Sequence, residues 1–165
     1  TFSVCGERVG AELPAEHVRA LHAAGMHVGS HDMRHRFMTT LGAADERSEL
    51  VESRAALEAL IGAPVVHFAP PGGRWSARTR EALQRAGYVA VSTSRYGFND
   101  ASTASFAYCR LPVVRATTLD AFDAMVSAKR RRLWRGYVRA SVLGAARFVL
   151  GESNYGRARA LGKDR

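Results

Sequence analysis

The sequence predicts an α/β fold, and three observations carry that expectation. Short β-rich runs alternate with longer segments of helical periodicity, an order that favours parallel strands joined by crossover helices. The polar clusters at 30–36, 70–75 and 92–100 each follow a candidate strand, where such folds gather their chemistry, whether barrel-like or doubly wound. Finally, 165 residues with 47% hydrophobic and 24% charged content suit one domain around one sizeable core.

Taken in order, Thr1–Cys5 alternates weakly and is β-rich, which predicts a strand. Pro14 fits the first turn of a helix that carries Val18 and Leu21 on one stripe and stops at Gly25. Met26–Gly29 reads as a short buried strand running into the polar loop Ser30-His31-Asp32. A longer helix is expected from about Ala44 to Ile61, with Leu50, Leu57 and Ile61 on one face and Gly62 as its stop. Val65–Phe68 is the next strand and Pro70–Gly73 the loop after it. Ser76 caps a helix that ends at Gly87. Tyr88–Ser92 and Arg110–Val114 are further strands, and a helix opens near Thr118 with Phe122, Met125 and Val126.

The charge is unevenly placed. Residues 129–165 hold 11 Lys/Arg against 2 Asp/Glu and so carry the whole net charge of +9, which leaves residues 1–128 neutral. Two regions follow, a globular body over 1–128 and a basic tail over 129–165. In the tail, Lys129-Arg130-Arg131-Arg132 precedes Trp134, Tyr137, Val138, Val142, Ala145, Phe148 and Val149 at helical spacing. Residues 129–150 therefore read either as a basic amphipathic helix for an anionic membrane surface or as a helix packed on the body with solvated arginines. Nucleic acid is the disfavoured partner, because no recognised binding module accompanies the charge. Cys5 and Cys109 match no zinc or redox spacing and read as two buried free thiols, with one disulfide between them as the alternative. The chain contains no apolar run of the roughly 18 residues a membrane span needs, and its first residues lack the basic start and apolar stretch of a signal peptide. Location stays open between the cytoplasm and the periphery of a membrane.

Two segments could carry chemistry. His31 and His35 are four residues apart, a spacing that on a helical turn aims both imidazoles at one metal ion about 2.0–2.1 Å from each. Spacing alone more often marks a capped surface turn. What strengthens the metal reading is position, just past a strand end. His17 and His22 fall on a surface helix, His27 alternates within a strand, and His67 reads as a core or edge residue. The second segment is Phe68-Ala69-Pro70-Pro71-Gly72-Gly73-Arg74-Trp75. Its prolines stiffen the backbone and its glycines let it turn tightly enough to present an N–H to a developing oxyanion. Taken alone it is an ordinary strand-to-helix turn, and Trp75 either stacks on a sugar ring or covers the core.

In combination these segments resemble the polysaccharide deacetylase (NodB-homology) family. Val28-Gly29-Ser30-His31 followed by His35, one long helix, and then strand–Phe68-x-x-Pro71-x-Gly73–helix reproduce the family's order. Glu81–Ala90 resembles its following helix and strand, and the likeness covers about residues 1–128. The resemblance implies an incomplete, distorted (β/α) barrel and metal-assisted hydrolysis of N-acetyl groups on a carbohydrate. It implies a divalent ion, zinc first among them, on His31 and His35. Pro71, Gly72, Gly73, Arg74 and Trp75 would line the substrate. It also places the family's paired aspartates, a catalytic base and a third ligand, upstream of Thr1. The chain as given would then bind metal weakly and turn over little. The alternative is a non-catalytic relative that binds glycans or partners.

Three departures stand out. Asp32 replaces the usual Ser/Thr after the first histidine and can still accept a loop hydrogen bond; Ala69 replaces the arginine that often opens the proline-glycine motif, with Arg74 nearby as a substitute. No histidine follows His67 to act as the late general acid; Ser92–Gly97 resembles instead a variant seen in relatives from exopolysaccharide gene clusters.

Overall fold

A computed structural model describes residues 1–129 together with Arg131, Trp134, Gly136, Val138 and Val142. Five strands form one sheet: β1 (Phe2–Val4), β2 (Val28–Ser30), β3 (His67–Phe68), β4 (Ala90–Tyr96) and β5 (Tyr108–Arg110). Their spatial order equals their chain order, and β1 through β4 pair in parallel. A doubly wound sheet reverses direction at a switch point; a sequential order is the singly wound arrangement of a barrel wall. The helices are α1 (Ala15–Ala23), α2 (Ala43–Ile61), α3 (Ala77–Arg85) and α4 (Leu119–Val126). α2 packs against α1, α3 and β2, so the first three helices share one layer.

Local chemistry sets these boundaries. Pro14 is the N-cap of α1, and Gly25 turns the chain after it at φ +80°. α2 carries Asp45 and Glu46 in its first turn, where carboxylates complement the helix dipole, and stops at Gly62 in the left-handed region. α3 opens with a reciprocal cap. The Thr79 N–H donates to Ser76 Oγ at 3.2 Å, and the Ser76 N–H to Thr79 Oγ1 at 3.1 Å. At Gly29 the strands crowd: a Cβ would lie 3.1 Å from the His67 carbonyl oxygen and 3.1 Å from Thr1 Cγ2.

Leu50, Leu57, Val65, Phe68, Leu83 and Val91 form the centre of the core, each at most 1% exposed. Ile61, expected on the same face of α2, is half-buried. Into this apolar layer α2 also sends Glu46, Glu49 and Ser53, all buried. Glu46 accepts the Thr79 hydroxyl at 2.5 Å and Arg78 Nε at 2.9 Å, a pairing that offsets the cost of burying its charge. Cys5 is buried and Cys109 half-buried, both as free thiols.

Two expectations need correction. β5 lies at Tyr108–Arg110 rather than Arg110–Val114, and Val113 and Val114 are each 61% exposed. Pro112 explains the difference, since it offers no N–H to a ladder. Met26 is 45% exposed, so the buried strand begins only at Val28.

The chain divides into two compact units, Thr1–Arg95 with Asn99–Arg110, and Tyr96–Phe98 with Leu111–Arg165. In the second unit, Thr118 caps α4 by accepting the Ala121 N–H at 3.2 Å. Leu119, Phe122 and Val126 are exposed along α4. Arg131, Trp134, Gly136, Val138 and Val142 are helical, and the other residues of the expected 129–150 helix, Lys129 apart, lie outside the described set. Among the described residues no helix is long and apolar enough to cross a membrane.

The register of α2 generates a stability contrast. Leu50→Ala should cost about 2–5 kcal/mol in urea unfolding, whereas the neighbouring half-exposed Val51→Ala should cost less than about 0.5 kcal/mol. Equal costs would mean that α2 presents another face.

Candidate functional site

Loops that follow β2 and β3 meet at the C-terminal edge of the sheet. β2 and β3 pair through Ser30 and Phe68, and the Ala69 N–H donates to the Ser30 carbonyl at 2.9 Å. One residue later His31 Nδ1 lies 2.5 Å from the Ala69 carbonyl oxygen. A carbonyl only accepts, so Nδ1 carries the hydrogen and the lone pair sits on Nε2, the tautomer that suits a metal-ligating histidine. Burial pushes the His31 pKa down, partly offset by the bond to Ala69, so the ring is kept neutral.

His35 comes to meet it. The two ring centroids are 5.0 Å apart in an edge-on arrangement. Two imidazoles sharing a tetrahedral ion, each nitrogen about 2.0–2.1 Å from it, have centroids about 5 Å apart. The route is not the expected helical turn. Residues 31–37 form a loop in which Asp32 (φ +69°) and His35 (φ +59°) both take the left-handed conformation. Asp and His are among the non-glycine residues that tolerate that region, and such outliers concentrate at sites that over-determine them.

The loop survives because every backbone donor from 31 to 36 has an acceptor. The His31 N–H donates to the Val4 carbonyl at 2.8 Å and the Asp32 N–H to Ser30 Oγ at 3.1 Å. Met33 and Arg34 both donate to Glu49 Oε2, at 3.1 and 2.9 Å. His35 and Arg36 donate to Asp32 Oδ1 and Oδ2, each at 2.6 Å. Asp32 is fully buried; burial pushes its pKa up to about 7 and the charge of Glu49 adds to this, while the two N–H donors hold it down. Arg34 and Arg36 face Glu49 Oε1 at 3.1 and 3.7 Å.

The second loop lies alongside. Pro71 is buried, Gly72 exposed, and Gly73, Arg74 and Trp75 half-buried. Gly72 (φ +61°) and Gly73 (φ +67°) need their missing side chains: a Cβ at Gly72 would meet the Phe37 ring at 2.9 Å, and one at Gly73 would collide with Ser94. The Arg74 guanidinium stacks on Phe37, 4.0 Å from the ring centroid. Trp75 packs against the core. The remaining histidines stay apart from this cluster. His17 and His22 lie on α1. His27 and His67, 6.3 Å apart, lie at the N-terminal ends of β2 and β3, away from the loop face.

Two imidazoles are the only clustered donor candidates that these loops bring together among the described residues. The His31 and His35 rings lie 5.0 Å apart between centroids, and among the described residues no group of three His, Cys, Asp or Glu side chains is arranged to hold an ion. Asp32, the nearest carboxylate in sequence, spends both oxygens on the loop backbone. Sequence reasoning allowed Asp32 a loop hydrogen bond, where the structure gives it two, and missed Glu49 altogether. An Asp three and four residues before the N–H groups it accepts was the readable cue for the first.

A family model for polysaccharide deacetylase matches residues 1–91. No curated protein matches. Among solved structures, the Streptococcus pyogenes deacetylase PplD in complex with acetate matches with TM-score 0.62 and 17% identity, over 67% of this chain and 49% of that one. A polysaccharide deacetylase from Bacillus cereus matches with TM-score 0.63 and 20% identity, over 72% of this chain and 38% of that one. A mutant of a CE4 family pseudoenzyme matches with TM-score 0.58 and 18% identity, over 79% and 52%. At these identities the likeness is one of fold, and the chain spans about half or less of the first two lengths.

Removing the loop's inner acceptor should loosen it. Asp32→Ala orphans two N–H groups and should cost about 2 kcal/mol or more in urea unfolding, while Asp32→Asn, which keeps one acceptor oxygen, should cost less. Equal costs for the two variants would show that the N–H bonds contribute little.

Proposed function

The chain belongs to the polysaccharide deacetylase family, and from that premise we propose that it carries part of the site of a metal-dependent carbohydrate N-deacetylase. The observation that supports this most is the pairing of His31 with His35 at a centroid separation of 5.0 Å, with His31 Nδ1 tied to a backbone carbonyl. His31 and His35 would hold a divalent ion, zinc first among the candidates; when bound, the ion supplies Lewis acidity for an acyl carbonyl and for water. The chain's own residues bind and orient. Pro71, Gly72, Gly73, Arg74 and Trp75 form the substrate loop, whose position beside His31 is fixed by the Ala69 carbonyl. Its exposed Gly72 lets a sugar approach the backbone closely. The family resemblance implies a carboxylate as the remaining ligand and an aspartate as the general base. The substrate is an N-acetylated sugar of a polysaccharide or glycolipid in cell-surface or exopolysaccharide metabolism.

The intact gene product with zinc or cobalt should release acetate from N-acetylated sugar oligomers, and His31→Ala or His35→Ala should abolish that release. An intact product that binds metal yet stays inactive across several N-acetyl sugars would move the assignment to a non-catalytic, glycan-binding relative.

Residues 129–165 form, in this reading, a separate basic tail that associates with anionic lipid. Trp134, Val138 and Val142 recur every four residues, are helical and are 57%, 45% and 61% exposed, next to the run Lys129-Arg130-Arg131-Arg132. Each cation near an anionic leaflet contributes about 1 kcal/mol, screened by salt. The full chain should co-sediment with phosphatidylserine vesicles at low salt and less at high salt, while a chain truncated after Ala128 should stay in solution. Equal behaviour of the two would assign the tail to the fold.

A further inference from the structure

We infer that Glu49 is a positioning residue for the His31/His35 pair, an inference that rests on the metal reading of those histidines. Glu49 stands on α2, is fully buried, and lies 14 residues beyond the second histidine. Its Oε2 accepts the N–H groups of Met33 and Arg34, the two peptides at the centre of the segment between the histidines. Asp32 takes the next two N–H groups from inside the loop. The division of labour matters. Asp32 closes the loop upon itself and fixes its curvature, but an acceptor within the loop cannot fix the loop's place on the sheet. The Gly6 and Glu7 N–H groups hold the Asp32 and Met33 carbonyls from the β1 side, at 3.0 and 2.9 Å, and Glu49 holds the Met33 and Arg34 N–H groups from the helix that packs on β2, the strand that delivers His31.

The arrangement exceeds what fold stability asks for. An apolar side chain at position 49 would continue the stripe of Leu50 and Leu57 at lower desolvation cost, and a buried carboxylate is tolerated only where it is fully partnered. Glu49 has those partners. Besides the two N–H groups, Arg34 Nη1 donates to Oε1 at 3.1 Å and Arg36 Nη1 lies 3.7 Å from the same oxygen. All of them come from the residues between His31 and Phe37. Glu46, one turn earlier and equally buried, bonds instead to Arg78 and Thr79 of α3 and touches no part of this loop. The two acids thus separate two tasks, helix packing and loop placement. Supporting residues that orient metal ligands commonly change affinity by 10–100-fold when removed.

Zinc titration by isothermal calorimetry on the 165-residue chain tests this, alongside urea unfolding and amide hydrogen exchange of the metal-free protein. Glu49→Ala should weaken zinc binding at least tenfold and speed exchange at Met33 and Arg34. Glu49→Gln, which keeps an oxygen for the N–H groups, should restore part of the affinity and protection. Glu46→Gln should lower unfolding stability without changing zinc affinity. His31→Ala and His35→Ala should abolish binding. Should Glu49→Ala fail to fold, the comparison of Glu49→Gln with Glu46→Gln carries the test. Zinc binding that withstands Glu49 substitution while the histidine variants lose it overturns the role of Glu49 alone. Wild-type zinc binding that is indifferent to both histidines sinks the metal reading and this role with it.

Discussion

A segment that leaves a strand and turns twice through the left-handed region must still satisfy its backbone donors. Residues 31–36 meet that constraint with six consecutive N–H groups, four of them taken by two carboxylates. Much of the first unit follows from it. α2 must run beside β2 closely enough to deliver Glu49, and Ser53 must reach Ser30, which it does at 2.9 Å. Ser30 then turns back to accept the Asp32 N–H. The acids that organise the loop repel one another, and the arginines at 34 and 36 offset this from the solvent side.

The family match ends at residue 91, within β4, and so contains both site loops and the helix that braces them. β5, α4 and the basic residues beyond lie outside it. The geometry agrees with that division, because the elements that hold His31, His35 and the loop between them, namely β1 and the turn at Gly6–Glu7, β2, β3 and α2, all fall within residues 1–91. What the second unit adds is surface: exposed apolar residues on α4 and a cationic segment after it.

The α/β class, the four helices and the places of the site loops were legible because they rest on periodicity and on glycine, proline and serine punctuation, which are local signals. The α2 helix begins at Ala43, one residue from its expected start, and Ser76 caps α3 as read. What failed was non-local. The spacing of His31 and His35 suggested a helical turn, but an acceptor outside the loop and one inside it stabilise another path. Val113 and Val114 have strand propensity without a partner for it. Glu46 and Glu49 look like solvated charges in a helix; only their positions, continuing the stripe of Leu50 and Leu57 toward the N-terminus, betray burial. Trp75 belongs in part to the core, a role that its residue type alone leaves undecided.

The contact between His31 Nδ1 and the carbonyl of residue 69 has a consequence for how this site tolerates sequence drift. Any amino acid at position 69 brings the same carbonyl oxygen, so the ring's tautomer and tilt are insulated from the identity of the side chain there. Ala69 is itself fully buried, so what restricts the side chain at that position is packing and not the imidazole that its backbone holds. The hydrogen-bonding feature that matters most to His31 is written in the backbone, where single-residue substitution cannot erase it.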